Sequence, residues 1–310
     1  MKLSLSTNWC NRRLASGEAI VDAALELGFQ ELELGYHTTH LQVKGFKARL
    51  DEMPVGSVHA FCPVPVSAPQ GYPELYSLAS LNRDARALAR IHVKRNIEFA
   101  AEMGADTVVL HAGRVSFSGL FRVLDSSVLR RVLAVNAHDA NARSYRKVLE
   151  KARVLRQRHG LRHMEVFRRE LEALMPVLER TGVVLALENL PYYEGFPNET
   201  EMQSLRADFD AAPIRAWFDT GHDRVRRMHH WFEGPLPTAE TARHFAGLHL
   251  NDVVDYNDDH LAPGVGKVDF AALRGLAENV RHLVFEPSAA VSTEALRRGI
   301  AHIRSAWGMA

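Results

Sequence analysis

Cysteine is scarce in this chain. Only Cys10 and Cys62 occur among 310 residues, and they form no C-x-x-C pair. A disulfide scaffold is thereby excluded, and two reduced structural thiols in a cytoplasmic protein are expected. Long apolar runs are lacking too. None approaches the ~18–20 residues of a membrane span, so no membrane partner is expected. The N-terminal stretch Met1-Lys2-Leu3-Ser4-Leu5-Ser6-Thr7-Asn8-Trp9 holds no apolar signal-peptide core. Neither sign of charge is in excess. Thirty-eight Lys+Arg against 37 Asp+Glu leave a formal net charge of +1, which argues against nucleic acid as a partner. No glycine-rich phosphate turn follows the first strand pattern, which removes the commonest form of a doubly wound dinucleotide-binding sheet.

What is present is a large apolar mass. Hydrophobic residues make up 46% and charged residues 24%, enough to build a sizeable soluble core. Short apolar or β-rich runs fall at 3–6, 31–34, 55–61, 107–111, 183–188, 214–219, 246–250 and 282–286. Several are nearly continuous, as parallel strands buried on both faces require. Helical patterns separate them. Residues 17–28 place Ile20, Ala23, Ala24 and Leu27 on one face, with Gly28 as C-cap. Residues 84–103 form a longer helix starting at Asp84. The segment 269–278 opens on Asp269 as N-cap, and 292–306 opens on Ser292 or Thr293. Eight strands alternating with helices predict an α/β fold, a single (β/α)8 TIM barrel spanning 1–310.

One connection is long. Residues 113–182 read largely as helix, and within 143–169 ten Lys/Arg face only Glu150 and Glu165. This predicts a basic helical insertion after the fourth strand, serving as a solvated face, a subunit contact of a homo-oligomer, an anion-attracting lid or a nucleic-acid surface.

The chemistry falls at the strand ends. His59 lies near the end of the third strand and His111 ends the fourth. Glu188 ends the fifth and Asp219 the sixth, with His222 just after it. His249 ends the seventh and Glu286 the eighth, and Asp258 and His260 follow on the seventh loop. In a closed barrel the C-terminal strand ends share one rim. Carboxylates ending apolar strands are costly unless paired, and several acids converging with several imidazoles are best reconciled by a divalent metal. The donor mixture, free of thiolates, suits Mn, Zn, Mg or Co, with a count of one to three.

The order Glu188-Asn189, Asp219-x-x-His222, His249-x-x-Asp252, Pro263-Gly264-x-Gly266-x-Val268-Asp269-Phe270 and Glu286-Pro287 resembles the xylose isomerase-like TIM-barrel superfamily over nearly the whole chain. The resemblance implies one divalent metal held by Glu188, Asp219, His249 and Glu286. Glu188 and Glu286 would also be the catalytic acid and base, working on a carbohydrate through a metal-stabilised enediolate. The implied activity is a sugar or sugar-phosphate isomerase or epimerase. His222 resembles the histidine that contacts the sugar's oxygens in the epimerases. The same superfamily includes endonuclease IV, whose additional zinc ligands would match His59, His111, His222, Asp258 and His260; in an isomerase or epimerase these five would bind substrate or further metals. A zinc phosphodiesterase is therefore the alternative, and a metal-dependent lyase or dehydratase on oxidised sugars is another. The fourth strand's His111-Ala112-Gly113-Arg114 departs from the nuclease. Asp258-Asp259-His260 stands where the ketose epimerases carry a substrate-binding arginine.

Four prolines between 63 and 73 stiffen a loop beside the expected mouth. Phe61 and Tyr72 on that loop, Trp9 after the first strand, and Tyr192 and Tyr193 after the fifth are candidate sugar-packing residues. Arg114, just past His111, is a candidate for binding a substrate phosphate or carboxylate.

Overall fold

The computed structural model describes residues 1–117, 124–257 and 260–309. Eight strands close a parallel barrel: Ser4–Ser6 (β1), Glu31–Leu34 (β2), Val55–His59 (β3), Thr107–Leu110 (β4), Val184–Glu188 (β5), Ile214–Asp219 (β6), Phe245–Leu250 (β7) and His282–Phe285 (β8). Each strand pairs with its sequence neighbours. Ser4 stands opposite Val284 and Leu5 opposite Phe285, so β8 closes onto β1. The expected strand over 55–61 stops at His59, where the chain turns into the proline-rich loop.

The outer helices are Gly17–Glu26 (α1), His40–Ala48 (α2), Arg83–Glu102 (α3), Ser126–Val135 (α4), Arg143–Thr181 (α5), Glu199–Asp208 (α6), Thr220–Met228 (α7), Arg274–Ala277 (α8) and Thr293–Trp307 (α9). Their starts are set by side chains that accept orphan backbone N–H groups. Ser16 caps α1 and Ser292 caps α9. Asn82, not Asp84, caps α3. Thr39 with Gln42 and Asn198 with Glu201 close capping boxes on α2 and α6. Gly28 sits at φ +79°, the left-handed position expected after α1. Asp269 accepts from Ala272 N, but it opens a short 3-10 turn and the four-residue α8 instead of a full helix.

The long connection divides physically in two. Met164, Phe167, Leu171, Leu174 and Leu178 on the C-terminal half of α5 join the main core. That half occupies the place of an ordinary barrel helix. The N-terminal half carries Tyr145, Leu149 and Ala152 into a separate small core with Leu129, Leu133 and Tyr193. Four of the ten basic residues of 143–169 pair with acids of neighbouring elements. Arg156 grips both oxygens of Glu201 at 2.7 and 2.8 Å, Arg146 reaches Glu233 and Arg168 reaches Asp208. The local excess of positive charge is thus complementary to acids on α6 and the loop after α7. No helix among the described residues is long and apolar enough to cross a membrane.

Inside the barrel, Trp217 fills the axis. Its ring stands 5.0 Å from His249 on one side and 6.0 Å from His282 on the other. It separates a polar floor at the N-terminal strand ends from the acid-and-histidine rim at the C-terminal ends.

Candidate metal centre and its mouth

The barrel brings the predicted rim residues together. Glu188, Asp219, His249 and Glu286 are all buried, and one donor atom of each lies within 4.8 Å of the others. His249 is the hub. Its Nδ1 stands 3.1 Å from Glu286 Oε2, 3.2 Å from Glu188 Oε1 and 3.7 Å from Asp219 Oδ2. Three carboxylates around one imidazole cannot stay ionised in a dry site without a cation among them. The donor set is oxygen-rich with one nitrogen, which fits Mn, Mg, Zn or Co.

Three further groups adjoin this one, of which His59, His249 and Glu286 overlap the hub and two flank it. His59, His111 and Glu188 form the first flanking group, with both Nε2 atoms on Glu188 Oε2 at 3.2 and 3.1 Å. Asp219, His222 and His260 form the second. Glu188 and Asp219 are shared with the central group. Asp258, also expected here, lies outside the described residues.

The imidazoles are held from behind. His59 Nδ1 donates to Ala60 O at 2.9 Å, His222 Nδ1 to Asn189 O at 2.8 Å and His260 Nδ1 to Glu286 O at 2.9 Å. Each bond fixes the tautomer with its lone pair on Nε2, the arrangement usual for metal-ligating histidine. His249 is reversed. Its Nε2 donates to Glu33 at 3.1 and 3.2 Å, which puts the lone pair on Nδ1 among the carboxylates. Glu33 is fully buried and is itself held by Ser57 Oγ at 2.9 Å. Sequence reasoning passed over Glu33. The sequence ELEL alternates charged and apolar residues like a half-exposed strand, and only the closed barrel buries Glu33.

Other supports were also missed. Asn8 donates to Glu286 Oε1 at 3.1 Å, and Asn251 to Asp219 Oδ2 at 2.7 Å. Asn189 bridges the Asp219 backbone, donating to its carbonyl and accepting from its N–H. The Pro-Gly-x-Gly segment now has a mechanical meaning. Asp252 accepts from the N–H groups of Gly264, Gly266 and Val268. Asp252 also pairs backbone to backbone with Leu261, which fixes His260 at the rim. Gly264 takes φ +90°, which a residue with a side chain rarely adopts.

The ionisation states follow the geometry. Burial pushes the Glu188 carboxyl up, but His249, His111 and hydrogen bonds from His111 and His222 outweigh it and hold it well below the usual range. Burial pulls His111 down, yet Glu188 and Glu74 raise it to about 9. His249 is likewise raised well above its ordinary value by Glu286, Glu33 and Glu188, against burial. Burial, with the neighbouring Glu188 charge, raises Asp219. Without a metal, protons on the imidazoles supply the positive charge that the carboxylates require.

Above the centre lies a cavity of about 210 Å³ walled by Tyr36, Tyr72, Glu74, His111, Tyr192, His222, His260 and Glu286. A second, of about 250 Å³, shares Tyr36, His260 and Glu286 and extends past Asn8, Arg12 and His37. Three expected substrate contacts are placed otherwise. Trp9 is buried with Nε1 bonded to Val291 O at 2.7 Å, so it packs the wall behind the rim. Phe61 is buried against Tyr76 and His92 and borders an outer groove between α2 and α3. Arg114 does stand at the rim, but its charge is already spent. It binds Glu74 at 2.7 Å and Glu194 at 3.5 Å, and stacks 3.4 Å from the Tyr192 ring. Tyr72 and Tyr192 line the mouth as expected. Tyr193 belongs to the small α4–α5 core.

The model of the xylose isomerase-like TIM barrel family matches residues 21–306. A search of curated protein sequences finds no significant match. Among solved structures, the 3-keto-D-glucoside 4-epimerase of E. coli superposes with a TM-score of 0.63 at 18% identity, covering 98% of this chain and 99% of that one. A D-psicose 3-epimerase determined in the presence of D-fructose gives 0.64 at 13% identity, covering 99% and 100%. A Thermus thermophilus protein soaked with ZnCl2 gives 0.58 at 21% identity, covering 100% and 99%. At such identities the likeness is one of fold.

Proposed function

We propose that this chain, which belongs to the xylose isomerase-like TIM barrel family, is a divalent-metal-dependent isomerase or epimerase of a sugar, sugar phosphate or related polyol. One observation carries the reading. Glu188 and Glu286 belong to one buried group of metal donors beneath a small mouth walled by Tyr36, Tyr72 and Tyr192. Aromatic walls with several polar groups below suit a small polyhydroxylated molecule. The sugar epimerases among the structural neighbours support the same class.

A divalent metal bound there supplies Lewis-acid stabilisation of negative charge on the substrate's carbonyl and adjacent hydroxyl oxygens. The remaining work falls to the side chains. Glu188, held ionised by its histidines, removes a proton beside the carbonyl, and Glu286 returns one to the resulting enediolate. The opposite direction exchanges their roles. Asn8 fixes Glu286 through Oε1, leaving Oε2 on the side of the metal group. His222 and His260 orient substrate oxygens from the rim.

The test is turnover of a panel of ketoses and ketose phosphates by metal-loaded protein in D2O, read by NMR. Deuterium should appear at the carbon next to the carbonyl. Glu188→Gln and Glu286→Gln should each slow turnover by roughly 100- to 10,000-fold. Near-normal rates in either variant, or isomerisation with no deuterium uptake, would sink the assignment.

A second reading rests on a separate observation, the two flanking donor groups that share Glu188 and Asp219 with the central one. Bridging carboxylates between adjacent donor groups suit a multinuclear centre for phosphodiester hydrolysis. Three tightly held zincs by elemental analysis, with cleavage of abasic-site duplex, would favour it. One metal and no cleavage would reject it.

A further inference from the structure

A groove on the outer wall of the barrel backs onto the ends of β5 and β6, Glu188 and Asn189 included. It encloses about 360 Å³ between α6 and the segment after α7. It exists because α7 ends at Met228, and an irregular stretch with Pro235, Leu236 and Pro237 crosses the wall where a longer helix would have filled it. Met202, Phe218, Phe232 and Phe245 make it apolar. Charge sits unevenly along it. Of its acids, Glu199 and Asp223 are paired with Arg226 and Arg227, and the Glu188 carboxylate is held on His59 and His111 inside the barrel. Arg206, on the last turn of α6, is half-buried at the groove's other end and has no ion pair or hydrogen bond with any described residue. Burial and the neighbouring Arg243 both hold its pKa below the ordinary value. An anion is what that guanidinium lacks.

We propose that this groove binds a small apolar monocarboxylate, its carboxylate forked onto Arg206 and its hydrocarbon body lying along α6 against Met202, Phe218 and Phe232. Arginine's planar donors match a carboxylate in a bidentate geometry, and partial desolvation strengthens the pair. Length agrees as well. From Arg206 back to Glu199 the helix rises about 10 Å, close to an extended medium-chain acid. The volume falls in the range of small-molecule sites.

Octanoate is the probe, titrated calorimetrically into the full metal-loaded protein, with 1-octanol as its uncharged counterpart and acetate as the anion without a body. Saturable octanoate binding is expected, at least tenfold tighter than octanol, with no binding of acetate. Arg206→Gln should weaken octanoate tenfold or more and leave octanol unchanged. Gln203→Trp, at an exposed position lining the groove, should abolish both. The proposal is overturned if octanoate does not saturate, if octanol binds as tightly, or if octanoate is indifferent to both substitutions. That last result would place it at the metal mouth.

Discussion

Glu33 offers the sharpest perturbation of the centre, because among the described residues its hydrogen bonds to candidate metal donors go to His249 alone. Its carboxylate takes the Nε2–H of His249 at 3.1 and 3.2 Å and thereby directs the Nδ1 lone pair into the Glu188, Asp219 and Glu286 group. Glu33→Gln keeps a hydrogen-bond acceptor but removes the charge. Losing such a support typically weakens metal affinity by about 10- to 100-fold. The consequence for stability is calculable. A metal at a thousandfold excess over its Kd stabilises the fold by about 4.1 kcal/mol, and at tenfold excess by roughly 1.4 kcal/mol. A 100-fold weaker Kd at fixed metal therefore removes about 2.7 kcal/mol of metal-dependent stabilisation. Two assays read this: competition for metal against a chelating dye, and urea unfolding with and without metal. Glu33→Ala, which also strips the acceptor, should lose more in both. If Glu33→Gln binds metal as tightly as the unaltered chain, His249 is not directed by Glu33 and the account of the hub is wrong.

Three other outcomes follow from the structure. His111 and His249 are both raised above their ordinary values, so they hold protons at neutral pH in the metal-free protein and must release them to ligate. Metal affinity should rise with pH, and calorimetry in buffers of different ionisation enthalpy should report at least one proton released; none released refutes the assignment. At the opposite end of the barrel, burial pulls His282 down, but hydrogen bonds to Asp106 and Glu31 raise it overall. Its stabilisation is complete below the unfolded value near 6.5 and lost as pH rises through the raised folded value, so His282→Gln should cost about 1–3 kcal/mol near pH 6 and less near pH 9 in urea unfolding. A pH-independent difference would contradict this. Trp9→Phe loses the bond to Val291 O, part of a buried ring and part of the Arg13 stacking 4.0 Å away, and should cost about 1–3 kcal/mol of stability with turnover unchanged, whereas a fall in kcat would return Trp9 to the mouth.

The barrel was legible in the sequence because parallel strands buried on both faces leave continuous apolar runs such as Val184–Glu188. The cluster of candidate metal donors was legible because a barrel turns strand-end position into spatial convergence, whatever the separation along the chain. Side-chain direction was not legible. Trp9 and Phe61 both sit near strand ends, and nothing in their spacing says that one ring points into the wall behind the rim and the other toward α3. Glu33 escaped for a related reason. The strand Glu31–Leu34 alternates charged and apolar residues like a half-exposed strand, yet the closed barrel buries Glu33 fully. The partners of Arg114 lie about 40 residues before it and 80 after, a pairing that loop sequences do not encode. The long connection could be read as helix but not divided, because periodicity shows that a face is apolar without showing which core receives it.

The two functional readings meet at one atom, Glu188 Oε2. His59 has spent its Nδ1–H on Ala60 O, so a neutral His59 turns a lone pair toward that oxygen at 3.2 Å. His111 Nε2 stands 3.1 Å from the same oxygen, with Nδ1 3.7 Å from Glu74 Oε1. Lone pairs at such distances repel unless a cation lies between them. When His111 carries that cation as a proton, Glu188 is a carboxylate held by hydrogen bonds on Oε2, with Oε1 toward the central donors, which suits a base in proton transfer. A second metal held by His59, His111 and Glu188 would leave Glu188 little basicity, which suits hydrolysis. Metal count and the choice between proton transfer and hydrolysis are therefore one question. A titration of bound metal against the protonation of His111 addresses both, because a second equivalent must expel the proton that the first can leave in place.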